Sequence, residues 1–105
     1  MKGEFMTPPG HIGFLAKKLF GGSGEMLDCS IARLERGGGG PAEPHIHPHD
    51  HLFIVVSGRA RIVMEGEEYI LHEGEGFRVK GSRLHAVWND ADGETVMVGI
   101  SVKGK

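Results

Sequence analysis

Four of the seven residues in His45-Ile46-His47-Pro48-His49-Asp50-His51 are imidazoles, in a chain with seven histidines in all. Neutral imidazole is the commonest protein ligand for Zn, Fe, Ni, Cu and Mn, so this density points first to a divalent metal. In an extended segment, residues i and i+2 face the same side with Cα atoms about 6.5–7 Å apart. His45 and His47 are so placed. Two imidazoles at that spacing can lean toward one ion at about 2.0–2.1 Å per bond. Pro48 cannot donate to a sheet ladder. A turn at Pro48-His49-Asp50 would therefore let His51 open a new strand and face back toward the same ion. The same turn sends His49 to the rim, as a neighbour of the ion rather than a ligand.

The elements that must carry these rings are strands. Leu52-Phe53-Ile54-Val55-Val56 is a short continuous apolar strand. Arg59–Glu65 and Glu68–His72 form a hairpin around Gly66, and Phe77–Lys80, Leu84–Trp88 and Glu94–Val102 follow at regular spacing. Asn89-Asp90-Ala91-Asp92-Gly93 reads as a hairpin turn. Upstream, Met26–Glu35 alternates, with Leu27, Cys29 and Ile31 expected on its buried face, and the run Gly37-Gly38-Gly39-Gly40-Pro41 is expected to break it. His11–Phe20 suits a strand or a helical turn equally, and Gly21-Gly22-Ser23-Gly24 is a turn with no Gly-Lys-Ser/Thr to make it a phosphate loop. Seven to nine short strands without a long helix predict an all-β antiparallel sandwich or barrel. Residues 1–20 are expected as an N-terminal arm or edge strand and residues 21–105 as a single barrel.

Composition sets the class. At 105 residues the chain is one domain, large enough for a core. A formal charge of −2 gives no electrostatic case for nucleic acid or an anionic membrane surface. The single cysteine, Cys29, excludes an internal disulfide and fits a reducing compartment. With no long apolar run or leader pattern, a cytoplasmic location is expected. Phe53, Val55 and Val87 share parity with the histidines and are expected to line an apolar pocket, while Phe77 and Trp88 belong to the core. Arg59, Arg61, Arg78 and Arg83 read as a solvated face, from which one guanidinium turned inward could clamp a carboxylate. His72 is expected to be exposed, and His11 carries no signal.

Gly39 through Gly58 resembles the first motif of the cupin family, a glycine followed by His-x-His, a further ligand and a closing glycine. Gly74 through Asn89 resembles the second, with Glu75 for the usual aspartate, then His85 and Asn89. Lys80 and Ser82 replace the proline and glycine usual in its turn. The resemblance implies a small β-barrel or jelly roll (a double-stranded β-helix) with one divalent transition metal ion, Mn, Fe, Ni, Cu or Zn, inside one end. It implies ligands at His45, His47 and His85, with His51 as a fourth imidazole where the family usually has glutamate.

Four neutral imidazoles leave a divalent ion its full charge and remove the obvious general base, a role that would fall to Asp50, Glu43 or an ion-bound oxygen species. Two functions follow as expectations. The first is a metal-dependent enzyme acting on a small molecule, with dioxygenase-type oxidation ahead of decarboxylation or isomerisation. The second is a non-catalytic small-molecule or metal-binding sensor. A homodimer is expected from the resemblance.

Overall fold

The computed structural model describes residues 4–20 and 24–104; the turn expected at Gly21-Gly22-Ser23 lies outside the described residues. Alternating and continuous apolar runs produce eight strands among the described residues: β1 (Ile12–Phe20), β2 (Met26–His45), β3 (Asp50–Ser57), β4 (Arg59–Met64), β5 (Glu67–His72), β6 (Gly76–Val79), β7 (His85–Asn89) and β8 (Thr95–Val102). The described residues contain no helix, so none is long and apolar enough to cross a membrane. All pairings are antiparallel, in the order β5-β4-β7-β2-β8-β3-β6, with β1 also on β2. The result is a nearly closed barrel of two sheets, the expected jelly roll.

β2 joins the two sheets. Residues 26–34 pair with β8, and Gly39, Gly40 and His45 pair with β7. The glycine run therefore does not end the strand, as its composition suggested; it bends it around the barrel corner. Gly39 has φ 148°, and a Cβ there would collide with the backbone of Val87 and Trp88. Only glycine lets the chain turn this closely against β7. The segment from Ile12 to Phe20 is a strand rather than a helical turn. It sits at a sheet edge, and Phe14 reaches the core.

The inward face of β2 is the reverse of the expected one. Asp28, Ser30 and Ala32 face the interior and Leu34 is fully buried, whereas Leu27 is 40% exposed. Cys29 is buried on the outward side. Period two locates two faces but does not say which is core, and the apolar residues of β2 fall on both. In β8, Thr95, Met97 and Ser101 are likewise buried, and Val96, Val98 and Ile100 turn outward, half-buried.

The largest fully buried side chains of the core are Leu34, Ile62, Met97, Val55, Val79 and Thr95. Beneath them Asn89 is a buried polar hub. Its amide donates to the carbonyls of Leu34, Glu35 and Gly93, and its Oδ1 accepts from the Ala91 N–H and the Thr95 hydroxyl. Residues 89–93 do not close a hairpin: β7 lies between β2 and β4, and β8 lies between β2 and β3, so the loop crosses from one sheet to the other. The β4–β5 hairpin forms as expected, on Glu65 and Gly66 with φ of 52° and 81°. Positive φ at both positions is what a type I′ turn requires.

Candidate metal centre

Three pieces of backbone carry the histidines to one place. His45 ends β2 directly opposite His85, the first residue of β7. His47 sits in the connection after β2, and the bend at Pro48-His49 delivers His51 to the start of β3, facing inward as expected. Ring centroids lie 4.8 Å apart for His45 and His85, 4.7 Å for His47 and His85, 4.9 Å for His47 and His51, and 5.9 Å for His51 and His85. One nitrogen from each of His45, His47 and His85 lies within 4.8 Å of the others, a triad that could hold a metal. A second triad of the same kind is His47, His49 and His51. In it the His47 and His49 rings are stacked at 4.0 Å and 9°, and His49 lines the cavity rather than leaving it for the rim.

Hydrogen bonds fix the tautomers. His47 Nδ1 lies 2.7 Å from the His49 carbonyl and His85 Nδ1 lies 2.7 Å from the Arg83 carbonyl. A carbonyl only accepts, so both Nδ1 atoms carry the hydrogen and both Nε2 atoms present lone pairs. Those Nε2 atoms are 3.1 Å apart. Two neutral acceptors facing each other repel unless a cation lies between them. Nitrogens bound to one ion at about 2.0–2.1 Å stand about 2.9–3.4 Å apart for right-angle to tetrahedral arrangements. The observed separation falls in that range, and the donor set fits a transition metal.

Electrostatics keep the rings in the ligating form. Burial, followed by the neighbouring imidazoles, pushes His51 down to about 3. Burial likewise lowers His45, His49 and His85. Neutral imidazoles bind metal without first losing a proton.

Gly81, in the turn before β7, fastens the histidine loop. Its carbonyl accepts from the His47 N–H at 2.8 Å, and its own N–H donates to Asp50 Oδ1 at 2.9 Å. Asp50 is 3% exposed and also accepts from Arg78 at 3.0 and 3.1 Å. The Gly81 bond and the Arg78 guanidinium hold its carboxyl below the usual range against the cost of burial. Asp50 is therefore a structural clamp and not the general base, and Glu43 is exposed outside the cavity.

The cavity beside the histidines has a volume of about 460 Å³, within the span of small-molecule sites. Phe53 and Val87 line it as expected, and Phe53 stacks on His51 at 5.1 Å, but Val55 is wholly in the core. None of the four arginines Arg59, Arg61, Arg78 and Arg83 lines the cavity. Arg59 pairs with Asp90, Arg61 with Glu68 and Arg78 with Asp50, and Arg83 is exposed. His72 is exposed beside Glu75. His11, which packs on Phe14, and Asp28 also line the cavity, and neither is distinguished in sequence from a surface residue.

A barrel of this topology with histidines converging at one end is a cupin architecture, and the comparisons agree. The cupin domain family matches residues 31–102, and the chain belongs to it. Among solved structures, it is similar to the cupin domain of an XRE family transcriptional regulator from Enterobacter cloacae (20% identity, TM-score 0.76, 90% of this chain and 100% of that one). It is also similar to the polyketide cyclase RemF from Streptomyces resistomycificus (18%, 0.78, 96% and 72%). A third is a predicted oxalate decarboxylase from Thermotoga maritima (11%, 0.79, 96% and 91%). At these identities the likeness concerns the fold. No curated protein matches the chain.

Proposed function

We propose that this cupin is a metal-dependent enzyme that transforms a small molecule in the barrel mouth, with His45, His47, His51 and His85 as ligands of one divalent ion. The observation that carries the reading is the pair of carbonyl-anchored imidazoles with facing Nε2 atoms 3.1 Å apart. In this reading His51, which groups with His47 and His49, would supply the fourth nitrogen, with Ser101 Oγ 3.4 Å from its Nδ1 and the Phe53 ring stacked on it. An Mn, Fe, Ni, Cu or Zn ion there would supply Lewis acidity, and a redox-active one would supply electron transfer to dioxygen. Oxidation is the favoured chemistry because an all-imidazole set leaves the ion its full charge.

The protein's own groups do the rest. Phe14, Phe53, Val87 and Met97 exclude water and hold an apolar body against the ion end. The reading includes a cytoplasmic homodimer that binds no nucleic acid. Outward-facing Ile31, Leu52, Ile54, Val56, Val98 and Ile100 support the dimer.

Elemental analysis of the purified protein, followed by oxygen consumption with catechols, diketones, thiols and keto acids, tests the proposal. Metal-dependent turnover supports it. Stoichiometric metal retained by a His45→Ala/His47→Ala double variant overturns the ligand set. The likeness to a transcriptional regulator's cupin domain favours a second reading, a ligand-sensing module, which predicts ligand-induced thermal shifts without turnover.

A further inference from the structure

We propose that Asp28 sets the ligand preference of the cavity. It selects a largely apolar, uncharged or cationic small molecule that presents a hydroxyl or amino donor, and it disfavours carboxylates. The inference rests on the reading of the cavity as the small-molecule site beside the histidines.

Among the described residues Asp28 is the sole carboxylate that lines the cavity, and no lysine or arginine lines it. Apart from the imidazoles and the cation they would hold, its wall among the described residues therefore carries a single charge, and that charge is negative. A carboxylate placed against this wall, away from the ion end, would meet like charge, with only the exposed Lys18 ammonium nearby. A hydroxyl or ammonium group would meet an acceptor.

Register places that acceptor. Asp28 on β2 pairs with Ser101 on β8, and Ser101 pairs with His51 on β3. All three side chains point into the cavity. Neighbouring strands stand about 4.7–4.9 Å apart, so Asp28 and His51 face one another across roughly 9–10 Å of floor, with Ser101 between. That span accommodates one ring, with one end toward the histidines and a donor group toward Asp28. The next rows inward are Ser30-Gly99-Phe53 and Ala32-Met97-Val55, so the floor turns apolar immediately beyond.

The carboxylate is also available. Among the described residues no N–H or O–H donates to it. Its nearest cation, the Lys18 ammonium, is 4.0 Å away on a side chain that is 59% exposed. A pair so exposed contributes little and yields readily to a better donor. Charge-assisted hydrogen bonds to a carboxylate are the stronger kind.

The test uses the Zn(II)-loaded protein, in which no redox turnover competes, titrated calorimetrically with 4-methylcatechol and with benzoate. Wild type is expected to bind 4-methylcatechol more tightly than benzoate. Asp28→Ala should weaken 4-methylcatechol at least about tenfold and strengthen benzoate, with Asp28→Asn strengthening benzoate while keeping part of the catechol affinity. Zinc content and melting temperature should not change in either variant, which separates a lost acceptor from a disturbed fold. Equal catechol affinity in wild type and Asp28→Ala, or tighter benzoate than catechol binding by wild type, overturns the inference. If zinc is not retained, the metal proposal fails separately, and the same titrations on the metal-free protein decide the role of Asp28 by the same criteria.

Discussion

Among single residues, those that form the histidine cluster and those that aim them differ in how visible they are in sequence. His45, His47, His51 and His85 declare themselves by type and spacing, because few other arrangements of imidazole have a purpose. Asp28 does not, since an isolated carboxylate on an alternating strand looks the same whether it faces solvent or a cavity. Asp50 misleads in the opposite direction, as a plausible base that proves to be a buried clamp on Arg78 and Gly81. Its clamp makes a pH prediction. The folded pKa is depressed, so the stability Asp50 contributes is complete above the unfolded value near 3.8 and disappears as pH falls through the lower folded value. Thermal melts of wild type should therefore drop steeply below about pH 4. Asp50→Asn should melt lower at pH 7, with part of that acid-limb slope gone; an unchanged acid limb would remove Asp50 from the account.

The strands were legible as strands, and their ends less so. Alternation and turn chemistry located β3 through β8 within a residue or two, yet the glycine run in β2 was read as a terminator. Glycine breaks a strand in solution, but against β7 it is the one residue that permits so close a corner, and that depends on a neighbour the local sequence does not name. Gly81 is a similar case. In sequence it is an ordinary turn residue, whereas in the fold a Cβ there would strike the His49 carbonyl and the His47 ring. Gly81→Ala must displace the histidine loop or the turn before β7, at a cost of about 1–3 kcal/mol. Zn(II) titrations should show metal affinity reduced at least about tenfold, with the far-ultraviolet spectrum still that of a β-barrel. Wild-type affinity in this variant would mean that the loop is not held by that contact.

For the whole molecule, the inward parity of β2, β3 and β8 has an outward counterpart. The polar and small residues needed around the cavity use up the interior positions, so Ile31, Ile54, Val56, Val98 and Ile100 lie on the outer surface of one sheet. A face of this composition is suited to a second copy of the chain. Val98→Glu, in the middle of that face, should shift sedimentation from dimer to monomer and leave the metal content as it is; a wild type that sediments as a monomer contradicts the dimer. The cavity has a different asymmetry in its walls. β2, β3 and β7 each supply a histidine, so their backbones cannot shift without moving a ring. β8 supplies none, yet its Met97 protrudes into the same chamber. Met97 is therefore the place at which the shape of the chamber can be recut while the histidine cluster keeps its arrangement.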